Sequence, residues 1–130
     1  MTDKIVVFVT CGSASEARRV GRALVERRAA ACVNIFASSV QSIYRWKGKI
    51  ETSNEYLVMI KTSRKQFAGL QRTVQSLHSY DVPEIIAVPI TKGSRDYLAW
   101  VSASVRPLAK SKKLGRKKSS PSVSGRIFQV

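Results

Sequence analysis

The chain has 130 residues with 44% hydrophobic content, enough to close one core and within the usual size of a single domain. Its net charge of +15 is unevenly spread: residues 1–105 carry 15 basic and 8 acidic groups, and residues 106–130 carry 8 basic and no acidic ones. The extreme charge therefore belongs largely to the tail, which argues against a fold shaped to grip nucleic acid, and no apolar run reaches the ~18 residues of a membrane span.

The first apolar run, Ile5-Val6-Val7-Phe8-Val9, comes too early and is too short for a signal peptide. A cytoplasmic protein is expected, with Cys11 and Cys32 as reduced thiols. That β-branched run has the pattern of a strand buried on both faces. Ser13 and Glu16 follow as an S-x-x-E capping box, and Ala17, Val20, Leu24 and Val25 recur at helical spacing. Arg18, Arg19, Arg22, Glu26 and Arg27 take the solvated arc, and the helix is expected to end near residues 29–31.

A long antiparallel hairpin comes next. Cys32-Val33-Asn34-Ile35 opens its first strand, which Val40-Gln41-Ser42-Ile43-Tyr44-Arg45-Trp46 continues in apolar-polar alternation. Lys47-Gly48-Lys49 reads as the turn, with Gly48 for a positive φ. The return strand runs over residues 50–60. Its tip should project beyond so small a body, and exposed aromatic residues there call for burial against another copy. Ser63-x-x-Gln66 reads as a second capping box, ahead of a helix carrying Phe67, Leu70, Val74 and Leu77. Residues 84–90 form a last strand, placed at a sheet edge by Pro89. A short helix with Leu98, Trp100, Val101 and Val105 ends at Pro107. The order predicts an α+β, ferredoxin-like β-α-β-β-α-β domain over residues 1–106, with a basic, disordered tail over 107–130.

Several strings resemble one family. Ala30-Ala31-Cys32-Val33-Asn34-Ile35 with Ser42-Ile43-Tyr44-Arg45-Trp46-Lys47-Gly48-Lys49-Ile50 is similar to the hairpin of the CutA, or divalent-cation-tolerance, proteins. Glu55 through Lys61-Thr62, His78-x-Tyr80-x-x-Pro83-Glu84-Ile85-Ile86 and Gly93-x-x-x-Tyr97-Leu98-x-Trp100 match in order and spacing. The resemblance implies a homotrimer joined through long hairpins, related in design to PII signalling proteins. It also implies a cytoplasmic setting and a link to tolerance of copper and other divalent metals. Val9 stands where some members carry cysteine, and the basic tail is not part of the family pattern.

For metal, Cys32 and His78 offer a thiolate and an imidazole, donors suited to copper first and zinc second. Glu84 or Glu55, a neighbouring subunit or water would complete the set. The structural alternatives are a small buried hydrophobe for Cys32 and a helix-end histidine for His78. Cys11, beside a helix N-terminus expected to lower its pKa, is a third ligand, a reactive thiol or a quiet loop residue. Tyr44, Trp46, Tyr80, Tyr97 and Trp100 suggest an aromatic cleft between subunits or plain interface packing. Lys61, Glu84 and Lys92, if they converge, suit a small anion, so the alternative function is a PII-like module binding an anion or partner protein. No Ser-x-Gly elbow, Cys–His pairing or phosphate-cradling loop appears, so an enzyme is not expected. Lys112, Lys113, Arg116, Lys117 and Lys118 in the tail invite non-specific contact with nucleic acid or an anionic surface.

Overall fold

The continuous apolar run near the amino terminus becomes the middle of an antiparallel sheet. The computed structural model describes residues 2–107. β1 (Lys4–Cys11) pairs with β4 (Lys49–Ser63) on one side and β5 (Ile85–Pro89) on the other. β2 (Cys32–Ile35) lies beyond β4, giving the order β2-β4-β1-β5, and β3 (Val40–Trp46) also pairs with β4. With α1 (Ala14–Glu26), α2 (Phe67–Leu77) and α3 (Arg95–Ser104) this is the expected ferredoxin-like order, with β5 at an edge where Pro89 withholds no needed donor.

Strand alternation sends Ile5, Val7, Val9 and Cys11 to one face, together with Val58 and Ile60 of β4. Val20 and Leu24 of α1 and Leu70 and Val74 of α2 close over that face, all fully buried. Each such side chain contributes about 1.5–3 kcal/mol on leaving water. Gly21 permits the closest approach: a Cβ there would lie 2.9 Å from Cγ1 of Val33. The opposite face is half covered. Val6, Phe8, Leu57 and Met59 are half-buried there, and Ile86 and Val88 are exposed.

Local chemistry changed three boundaries. α1 stops at Glu26, short of residues 29–31, because Arg28 adopts φ 62°. Arg28 N donates to Val25 O and Ala29 N to Leu24 O, the paired bonds of a Schellman turn with arginine in the glycine position. Residues 32–46 are two strands rather than one, since residues 36–39 lie opposite only residues 56 and 57 of β4. Ser63 makes no side-chain capping bond, and residues 64–66 form a 3-10 turn before α2. Gln66 instead donates from Nε2 to Arg106 O at 2.5 Å, fastening the end of the described chain.

Residues 49–55 of β4 pair only with β3, so the hairpin extends about 20 Å past the body of the sheet. Lys47 (φ 52°) and Gly48 (φ 82°) make its two-residue turn, both in the left-handed region that this tight turn requires. Ile43 and Ile50, 67% and 63% exposed, lie on one face of this arm. Leu24→Ala is expected to destabilise the chain by about 2–5 kcal/mol in urea unfolding, from lost burial and the cavity left behind. A loss below about 1 kcal/mol would mean that α1 does not close the core.

Candidate metal centre

Where β1 runs into α1, alternation leaves Cys11 on the core side, 0% exposed, and Thr10 on the other face. Ser13 Oγ accepts from Glu16 N at 3.1 Å, so half of the expected capping box forms. The other half does not, because the Glu16 carboxylate turns inward, only 6% of the residue remaining exposed. It accepts from Ser79 N at 2.9 Å and Ser79 Oγ at 2.8 Å. Oε2 also lies 3.2 Å from His78 Nδ1.

His78 caps the C-terminus of α2 through its backbone N, which donates to Val74 O, while its side chain turns away from the last carbonyls of that helix. Its ring is buried. Nε2 lies 2.7 Å from Thr10 O, and a carbonyl only accepts, so Nε2 carries the proton. Nδ1 then accepts from Tyr80 N at 3.1 Å and faces the Glu16 carboxylate. Sγ of Cys11, a carboxylate oxygen of Glu16 and a ring nitrogen of His78 all fall within 4.8 Å of one another. A thiol, a carboxylate and an imidazole held in one buried spot form a donor set that suits zinc or copper. A ligating histidine ordinarily donates its second N–H to a carbonyl or carboxylate, as Nε2 does here to Thr10.

The same corner continues onto the other sheet face. Tyr80 packs edge-on to His78 at 4.7 Å, and its hydroxyl donates to Glu55 Oε2 at 2.8 Å. Burial, then that hydrogen bond, pushes the phenol well above its usual range. Gly12 leaves room for it, since a Cβ there would sit 3.2 Å from the hydroxyl. Glu84 is raised by burial and then by the Glu55 charge, while the Thr10 side chain hydrogen-bonds it. Tyr44 also lies near enough to influence Tyr80, and it shares a 3.4 Å contact with Ser53 Oγ.

Within the chain, His78 and Glu84 come to one end of the sheet and Cys32 does not. Cys32 pairs in register with Lys61, while the Thr10 that holds His78 pairs with Leu57, about 13 Å further along β4. Cys11 supplies the thiol beside His78 instead. Its position was readable: Val7, Val9 and Cys11 alternate inward along β1. The expected lowering of its pKa is reversed, because burial and then the Glu16 carboxylate push the thiol up to about 12. The helix N-terminus is outweighed by desolvation.

The remaining candidates fall into separate groups. Tyr44 and Trp46 stand on the arm, with Lys47 Nζ 5.9 Å from the Trp46 ring. Lys61 Nζ hydrogen-bonds Asn34 Oδ1, which also receives Cys32 Sγ at 3.8 Å. Tyr97, raised by burial and then by Cys32, stacks at 5.6 Å on the exposed Trp100. Lys92 is exposed beyond β5, and neither it nor Lys61 forms an ion pair among the described residues. Glu84 lies in the acidic corner beside Glu55, whereas Lys61 pairs in register with Val6 and Cys32 further along the sheet. Both cysteines are free. Lys112, Lys113, Arg116, Lys117 and Lys118 lie outside the described residues. No described helix is long and apolar enough to cross a membrane.

Residues 5–104 match the family described as CutA1 divalent ion tolerance protein. The divalent-cation tolerance protein CutA of Thermus thermophilus is 47% identical over 96 residues, covering 74% of this chain and 92% of that protein. Mouse (Mus musculus) protein CutA is 48% identical over 94 residues, or 72% of this chain, which spans only 52% of the mouse protein. Among solved structures, CutA from Xylella fastidiosa superposes with a TM-score of 0.78 at 36% identity, covering 81% of this chain and all of that one. The chain belongs to the CutA1 divalent ion tolerance family.

The raised thiol has a pH consequence. Between the usual value of 9.0 and about 12, folded Cys11 keeps a proton that the unfolded chain has released. Stability therefore falls as pH rises through this window, by up to about 1.4 kcal/mol per pH unit, and raised Tyr80 adds to the same loss. Urea midpoints from roughly pH 8 to 11 should drop in the wild type and drop less in Cys11→Ala. Equal slopes in the two proteins would show that Cys11 titrates normally.

Proposed function

We propose that the chain is a homotrimeric divalent-cation-binding protein acting in metal tolerance, without catalysis, and that Cys11, Glu16 and His78 hold the cation. The observation that carries this is the buried thiol–carboxylate–imidazole group, whose ligand atoms lie within 4.8 Å of one another. Glu16 and His78 have outer support. Ser79 donates to both carboxylate oxygens, and Thr10 O fixes the imidazole with Nδ1 turned toward Glu16, where a metal would displace the Tyr80 N–H that Nδ1 now accepts. Copper, then zinc, fits these borderline donors; the ion would supply Lewis acidity and displace the thiol proton. The role of the chain's residues is to hold the ion and exclude water.

Apolar surface supports the trimer. Ile43 and Ile50 on the arm and Ile86 and Val88 on the open sheet face would otherwise remain exposed. Free cysteines favour a reducing cytoplasm. Isothermal titration with zinc, and separately with copper, tests the site. Cys11→Ser and His78→Gln are expected to weaken binding by at least about tenfold, while Cys32→Ser leaves it unchanged. If only Cys32→Ser weakened binding, the site would lie elsewhere. In sedimentation at micromolar concentration a trimer is expected, shifting toward monomer in Ile43→Glu with Ile50→Glu; a monomeric wild type would end the assembly claim.

A further inference from the structure

On the helix-covered side of the sheet, α1 and β2 enclose an open groove of about 600 Å³ that takes no part in the metal centre. We propose that this groove docks an acidic peptide with apolar side chains between its carboxylates.

The wall comes from α1. Arg18, Arg22 and Val25 follow one another at helical spacing, and the groove residues include Arg19 as a third cation against one acid, Glu26. Arg18 has no acidic partner among the described residues. Arg22 meets Glu26 at 3.6 Å with both side chains largely exposed, a weak pair that an incoming carboxylate can replace. The floor is apolar. Val33 and Ile35 of β2 line it, and Val25 stays 42% exposed at its rim. Gly21 holds helix and strand in close contact beneath, so the groove is preformed and little ordering is required of it.

These features select among anionic partners. Arg18 and Arg22 stand one helical turn apart, about 6 Å between Cβ atoms, close to the spacing of alternate residues in an extended peptide. Guanidinium forks match carboxylates in paired hydrogen bonds. A bilayer surface does not enter a concave groove, and a sugar-phosphate backbone gains nothing from a Val25–Val33–Ile35 floor. A peptide supplies both chemistries at once.

The test uses the full chain and a fluorescein-labelled peptide of alternating Glu and Leu, followed by anisotropy at near-physiological salt. Saturable binding is expected, weakened by about tenfold or more in Arg18→Glu, the scale of one charge-assisted hydrogen bond. Val25→Asp should weaken it likewise, with the milder Val25→Ser as a second variant if the first alters the circular dichroism. Charge reversal in the tail, Lys112→Glu with Lys117→Glu, should leave the affinity unchanged. Absence of saturable binding, equal binding of an all-Glu peptide, or indifference to Arg18→Glu would each overturn the proposal. So would an oligouridine that bound in an Arg18-dependent way where the peptide did not.

Discussion

A carboxylate taken out of water must find hydrogen bonds inside the protein, and the Glu16 carboxylate imposes that condition on everything around it. Its two oxygens receive both donors of Ser79 and face Nδ1 of His78. This ties the start of α1 to the end of α2, two elements remote in sequence. His78 then reaches Thr10 O, which joins the helix ends to the central strand. Tyr80, next in line, carries the connection through to Glu55 on β4. The proposed cation site is the inner part of this chain of bonds, and the acidic corner of Glu55 and Glu84 is its outer part.

The fold was legible where a residue's chemistry leaves one structural choice. A β-branched run with no polar break read as an inner strand, and β1 is one of the two inner strands, although its second face is only half covered. Pro89 lacks a donor and so sent β5 to the edge. Capping boxes were less reliable. Ser13 and Ser63 head the same pattern, but Glu16 is drawn away by Ser79 and Gln66 by Arg106 O. Those partners lie 63 and 40 residues away, a separation that no local pattern encodes.

The site was half legible for the same reason. His78 was named on the chemistry of its side chain, but its thiol partner was sought in Cys32. Reading Cys11 as part of a turn hid the inward alternation that continues from Val7 and Val9. Burial also inverts the electrostatic expectation: a thiol in a turn feels the helix dipole, whereas this one chiefly feels the absence of water. The basic excess is different again. Residues 106–130 supply +8 of the net +15, and the arginines of α1 are only part of the remaining +7.

The inner place of β1 also governs how the chain is made. Its two neighbours are β4, whose Ser63 pairs with Lys4, and β5, whose Pro89 pairs with Ile5. A ribosome therefore releases β1 before the other strands and its last partner some eighty residues later. At roughly 5–20 residues per second, that strand waits for seconds with unsatisfied edges. Such long-range pairing raises contact order, which slows folding, and leaves nascent copies open to one another. Thr2, whose hydroxyl bonds to Ile90 O at 2.7 Å, can close the sheet only after that wait is over.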